Sequence, residues 1–125
     1  MQNIIYYLST CDTCKRILKE IRASNYDFNM QDIKTEPISE AQLEELKNKA
    51  GSYEMLFSKR AMLYKSLGLA GKHLSEQDYK KYLLTHYSFL KRPVFIYNGE
   101  LFIGSDKKTV ERLKASLHEQ KNTRS

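Results

Sequence analysis

The sequence predicts an α/β fold in which a strand–helix–strand unit and a hairpin–helix unit are separated by a helical insertion. Three observations predict it: a β-branched, aromatic run leading straight into a helix that bears two cysteines, a middle third whose apolar spacing is helical, and an Asn-Gly turn between two apolar runs. Asn3-Ile4-Ile5-Tyr6-Tyr7-Leu8 reads as a buried strand. Ser9 and Thr10 supply cap-type side chains, so a helix is expected to start near Cys11 or Asp12. Within it Cys14, Ile17, Leu18 and Ile21 fall at i, i+3, i+4 and i+7, one apolar stripe facing a core. From Tyr26 to Ile33 the chain alternates, with Tyr26, Phe28, Met30 and Asp32 on one side, and a second strand is expected there.

The middle changes period. Ser39 with Gln42 three residues on is a capping-box signature, Leu43 and Leu46 share the face that follows, and Gly51 is a natural stop. A second helix is expected over Tyr53 to Leu67, ending at Gly68. A third is expected to begin at Ser75, with Leu74 and Tyr79 as a hydrophobic staple, and to run through Tyr82, Leu83 and His86. Then Val94-Phe95-Ile96-Tyr97, Asn98-Gly99 and Glu100-Leu101-Phe102-Ile103 give a hairpin. Ser105 or Asp106 caps a last helix with Val110, Leu113 and Leu117 inward, and the polar tail after His118 is expected to fray. The order matches a thioredoxin-like fold, β-α-β followed by β-hairpin-α, with an all-helical insertion over about residues 39–88. No repeat or linker divides the chain, so residues 1–118 are expected to form one domain and residues 119–125 a tail.

With 125 residues and 41% hydrophobic content the chain can bury one modest core. No apolar run approaches the roughly 20 residues that cross a bilayer, and Met1-Gln2-Asn3 lacks the basic start of a signal peptide, so a cytoplasmic protein is expected. The net charge of +6 favours anionic partners: an oxyanion, an acidic protein surface or nucleic acid. The cations, however, are scattered as Lys15-Arg16, Lys59-Arg60, Lys80-Lys81, Lys91-Arg92 and Lys107-Lys108, which reads as solvated helix faces rather than a nucleic-acid-binding stripe.

Cys11-Asp12-Thr13-Cys14 carries the chemistry. A loop this short constrains little unfolded-chain entropy, so the pair is a poor structural staple. Zinc would need further ligands, yet there is no second cysteine pair, and His73, His86 and His118 lack ligand spacing. Placed at a helix N-terminus, the Cys11 thiolate gains from unsatisfied N–H groups and the positive end of the helix dipole. Cys14, one turn later, points back beneath it as a resolving thiol. Lys15 and Arg16 add positive charge and Asp12 opposes it, so the Cys11 pKa is expected below the free value of ~8.5 but short of the lower extreme. Arg92-Pro93 is the next constellation. Proline is acceptable only at the first residue of a buried strand; in this fold it is expected to be cis and to face Cys11, with Arg92 placed to hold an oxyanion or a mixed-disulfide partner. Arg60 is a second candidate.

Taken together, these residues resemble the arsenate reductase/Spx (ArsC-like) family. The resemblance runs over almost the whole chain: Tyr7-Leu8-Ser9-Thr10-Cys11-Asp12-Thr13-Cys14-Lys15, then Phe57-Ser58-Lys59-Arg60 and Tyr64-Lys65-Ser66-Leu67-Gly68-Leu69, then Phe89-Leu90-Lys91-Arg92-Pro93-Val94. It implies two functions. In the reductase branch Cys11 would attack arsenate, Arg92 would match the oxyanion-holding arginine before proline, and an external thiol reductant (glutathione with glutaredoxin, or thioredoxin) would recycle the protein with no bound cofactor. The family's middle arginine falls on Ser58 in one register and Arg60 in another, and the third falls near Gly104; glutaredoxin-coupled members commonly lack a cysteine at the Cys14 position. In the Spx branch the Cys11/Cys14 pair would be a disulfide switch in a regulator that binds the C-terminal domain of the RNA polymerase α subunit.

Overall fold

The computed structural model describes residues 3–123. It contains two compact units, one formed by residues 1–31 and 92–125 and the other by residues 32–91.

The first unit is built on a sheet of four strands: β1 (Ile4–Tyr7), β2 (Asn29–Asp32), β3 (Val94–Tyr97) and β4 (Glu100–Ile103), in the order β2-β1-β3-β4. β1 and β3 are antiparallel with Ile5 opposite Phe95, and β3 and β4 are antiparallel with Phe95 opposite Phe102. Ile5, Phe95 and Phe102 therefore form one row across the sheet. Because side chains alternate along a strand, this row faces the apolar stripes of α1 (Asp12–Glu20) and α5 (Lys107–Thr123), where Ile17, Ile21, Val110, Leu113 and Leu117 complete the core. The β3–β4 turn has positive φ at both Asn98 (50°) and Gly99 (82°), the type I′ geometry that matches strand twist. Asp106 caps α5: its carboxylate accepts from the Thr109 amide at 3.1 Å and from the Thr109 hydroxyl at 2.8 Å. This is the thioredoxin-like α/β arrangement, with α1 joining β1 to β2 and α5 following the hairpin.

Two sequence expectations need correction in this unit. The second strand is shorter than Tyr26 to Ile33, and its faces are reversed: Gln31 is buried while Met30 is 41% exposed. The cause lies just upstream. The Phe28 amide donates to the Tyr26 carbonyl at 3.1 Å, which folds the chain back within two residues, and both rings are spent against β3, Tyr26 on Tyr97 and Phe28 on Phe95. The alternation therefore does not carry from these aromatics into β2. Ser9 and Thr10 do not cap α1 either; they lie in a turn, and Cys11 itself is the N-cap residue. α5 runs to Thr123, and of the tail expected over residues 119–125 the last two residues lie outside the described residues.

The second unit contains α2 (Glu40–Ala50), α3 (Met62–Ser66) and α4 (Glu76–Thr85) with short 3-10 turns between and after them. Ser39 and Ser75 each close a capping box, with Gln42 and Asp78 respectively, and Gly51 (φ 102°) and Gly68 (φ 68°) supply the left-handed conformations that end α2 and follow α3. The single helix expected over Tyr53 to Leu67 is broken. Phe57 is extended and pairs with Leu90 in an isolated antiparallel bridge, with Ser58 N donating to Phe89 O at 2.7 Å and Lys91 N to Leu56 O at 2.9 Å. Phe57 lies at the centre of an aromatic cluster, stacked on Phe89 (5.2 Å) and edge-on to Tyr79 (4.9 Å). That tertiary pairing outweighs helix propensity, which differs by only a few tenths of a kcal/mol between ordinary residues. The Glu76 carboxylate also accepts from the Tyr53 and Glu54 amides, at 2.7 and 3.1 Å, and so ties the start of α4 to the 3-10 turn at Glu54–Leu56.

Loss of the Ser39 hydroxyl leaves the Gln42 amide in the first turn of α2 without its acceptor. Ser39→Ala is expected to lower stability by about 1 kcal/mol in urea unfolding, with Ser39→Asp close to wild type.

Candidate functional site

Antiparallel pairing fixes where the candidate residues sit. Tyr6 opposes Val94, so the chain leaving β1 runs beside the chain entering β3. The first of these segments carries the cysteines, the second Arg92 and Pro93. The Arg92–Pro93 peptide bond is cis, Pro93 is buried, and the Pro93 carbonyl accepts from Gly104 N at 2.8 Å.

Cys11 occupies the N-cap of α1 with extended backbone, φ −92° and ψ 114°. Its amide donates to Leu8 O at 3.0 Å, and its carbonyl accepts from Lys15 N at 3.1 Å as the first bond of the helix. An N-cap side chain ordinarily offers oxygen to the first-turn amides. The thiol makes no such cap bond, yet the same amides act on its sulfur. Burial, the largest single influence on Cys11, pushes its pKa up; the Cys14 amide, the Cys14 thiol, the Arg92 charge and the Thr13 amide together outweigh it, and the pKa falls below its ordinary value. Cys14 is fully buried on the inner stripe of α1. Burial pushes its thiol up to about 11, with the Leu8 amide opposing; donation to Cys11 and the negative charge there raise it further, and Arg92 lowers it slightly. Both cysteines are free thiols, Cys11 half-exposed and Cys14 buried. The pair is thus divided: an accessible sulfur that favours the anion, and a shielded one that keeps its proton and lends it to the first.

Arg92 is half-buried and acts electrostatically on both sulfurs. Its Nε is buried without a hydrogen-bond partner, while other interactions engage the residue. Lys15 is exposed on α1, one position after Cys14, and Asp12 is exposed in the first turn. Arg60 belongs to the other unit, exposed in the turn between the Phe57 bridge and α3. The first-turn donors expected from the helix start are the amides of Thr13 and Cys14, while the Leu8 amide acting on Cys14 was not foreseen. All three act through the main chain, so no residue type marks them. Among the described residues, no group of three His, Cys, Asp or Glu side chains is placed to hold a metal ion, and no helix is long and apolar enough to cross a membrane.

This strand–thiol–helix arrangement, returning through a cis-proline to β3, can be compared with known proteins. The family model described as "ArsC family" matches residues 6–113, a span that includes both cysteines, Arg92 and the hairpin. The chain belongs to the ArsC family. Among this ArsC-family chain's relatives is the uncharacterized protein YusI of Bacillus subtilis (strain 168), 26% identical over 107 residues, covering 83% of this chain and 91% of YusI. Among solved structures, the arsenate reductase from Vibrio cholerae superposes with a TM-score of 0.74 at 20% identity, covering 90% of this chain and 97% of that one. An arsenate reductase (ArsC) related protein from Brucella melitensis superposes with a TM-score of 0.69 at 22% identity, covering 90% and 93%. At these identities the structural matches establish a shared fold.

The divided thiols have a direct chemical signature. Cys11 is expected to be alkylated by iodoacetamide at neutral pH while Cys14 in the native protein is spared, with peptide mapping reading both sites. Thiolate is the reactive form and the Arg92 charge favours it. Arg92→Met should therefore move the midpoint of the Cys11 rate–pH profile upward and slow its alkylation several-fold at neutral pH, and an unchanged midpoint would remove Arg92 from the site.

Proposed function

We propose that this protein is a thiol–disulfide oxidoreductase of the arsenate-reductase type, with Cys11 as nucleophile and Cys14 as resolving thiol. One observation carries the reading: two free thiols lie one helical turn apart, Cys11 accessible at the helix N-cap and Cys14 buried beneath it, and their surroundings shift the first thiol's pKa down and the second's up. In the first step the Cys11 thiolate attacks arsenic(V), an S–As bond forms, and an arsenate oxygen leaves as water after protonation. In the second, Cys14 gives its proton to solvent and attacks the Cys11 sulfur. An S–S bond forms, the S–As electron pair stays on arsenic, and arsenite leaves. Two thiols have been oxidised by two electrons and arsenic reduced by two. A protein dithiol of the thioredoxin class, or glutathione with glutaredoxin, then supplies two electrons and two protons to reopen the disulfide.

The protonation pattern also orders the steps. Two of the influences that raise Cys14, its donation to Cys11 and the charge on that sulfur, exist only while Cys11 is a free thiolate. Once the S–As bond forms, these two influences that hold the proton on Cys14 are removed. The Arg92 guanidinium offers the planar donor set that suits an oxyanion, with Arg60 and Lys15 as further candidate cations for the substrate or a partner.

NADPH consumption with arsenate, coupled in parallel to thioredoxin and to glutathione/glutaredoxin, tests the reading. Wild type is expected to turn over, Cys11→Ser to fall to background, and Cys14→Ser to lose the thioredoxin-coupled route. Arg92→Met is expected to lower kcat/KM about a hundredfold, the typical effect of losing one oxyanion donor. A disulfide that cycles normally with no arsenate-dependent turnover would instead support a redox switch. The shielded resolving thiol favours that reading too, because it suits a disulfide that closes within the chain, and its test is binding of the RNA polymerase α C-terminal domain by the oxidised and reduced forms.

A further inference from the structure

A stretch of one charge sign that also exposes several large apolar side chains lies in the helical unit. From Met55 to Ser75 the chain carries Lys59, Arg60, Lys65 and Lys72 and no aspartate or glutamate. Lys59 is held by Glu54 at 3.1 Å. Among the described residues Arg60, Lys65 and Lys72 have no carboxylate partner, whereas Arg16, Lys80, Arg112 and Lys114 each do. The same stretch holds three of the exposed large apolar side chains: Met55, Met62 and Leu67.

Local packing explains why they face outward. Tyr64 turns inward against Phe57 (5.9 Å) and Leu63 is half-buried beside it. Met62, Lys65 and Ser66, at i, i+3 and i+4, are left on the opposite face of α3. Met62 is 86% exposed and Leu67, at the C-cap, 49%. An exposed methionine flanked by arginine and lysine matches the composition of protein-binding patches, in which methionine and arginine are enriched.

We propose that the turn at Lys59-Arg60 and the outer face of α3 form a docking surface for an acidic protein segment that presents an apolar anchor side chain. The unpaired cations on this surface supply the charge complementarity, and Met62 with Leu67 supplies the apolar seat. A phosphate backbone would leave Met62 and Leu67 in water, and a five-residue helix is too short to lie in a membrane interface with a continuous apolar face. Arg60 is also a candidate substrate cation, so the test substitutes only Met62 and Lys65, which have no part in the thiol chemistry, and the two readings fail separately.

The test is titration of the isotopically labelled full-length protein with a synthetic Glu-rich helical peptide bearing Leu at i and i+4. The controls are its Leu→Ala form, its Glu→Lys form, a short DNA duplex and phosphatidylglycerol vesicles. Saturable amide shifts concentrated in residues 59–72 are expected. Binding should weaken about tenfold for the Leu→Ala peptide and for a folded Met62→Glu/Lys65→Glu variant, and vanish for the Glu→Lys peptide. Shifts scattered over the protein, affinity indifferent to the Leu anchors or to the double substitution, or binding of duplex or vesicles at the peptide's affinity would each overturn the proposal.

Discussion

Antiparallel pairing of β1 with β3 is the constraint on which the rest of this protein rests. The two strands are separated by most of the chain, and joining them closes a large loop at an entropic cost that grows only slowly with its length. The Ile5–Phe95–Phe102 row offsets that cost, because it gives α1 and α5 a continuous apolar surface to cover. The same register then does chemical service. Since Tyr6 stands opposite Val94, the segments just beyond β1 and just before β3 emerge side by side, and the charge of a guanidinium on one acts on a thiol of the other. Neither segment could hold that geometry alone.

Where local rules and tertiary demands agree, the fold can be read from residues. The capping boxes at Ser39 and Ser75, the stops at Gly51 and Gly68 and the Asn98-Gly99 turn each depend on a hydrogen bond or a positive φ that a few neighbouring residues decide. The failures have one physical cause. Tyr26 and Phe28 look like strand residues in isolation, but they are drawn onto β3, and the chain spends two residues turning back before β2 begins. Phe57 sits in a helical-looking run yet is held extended by Leu90, some thirty residues away, and by the stack on Phe89. No window of sequence contains those partners.

The candidate site divides along the same line. Cys11 and Cys14 announce themselves by spacing and by the strand that precedes them, and Arg92 stands out because of the proline that follows. The groups that tune the sulfurs are partly main-chain amides of Leu8, Thr13 and Cys14, which any residue type could supply. Side chains mark the candidate site, and the backbone helps set the two sulfurs apart. The exposed face of α3 is a third case. A methionine in a short helix reads as core until the inward turn of Tyr64 shows that Met62 has nothing over it.

The position of Cys11 carries an evolutionary cost. An N-cap is the place in a helix where a serine, threonine, aspartate or asparagine contributes most, about 1 kcal/mol over a side chain that cannot accept well. Here the place is held by a thiol that makes no cap bond in its neutral form. Drift toward greater thermodynamic robustness at residue 11 would therefore remove the thiol, since the better caps have no sulfur. A chain that keeps cysteine there trades helix stability for reactivity, and homologues that have lost the chemistry are free to regain the cap.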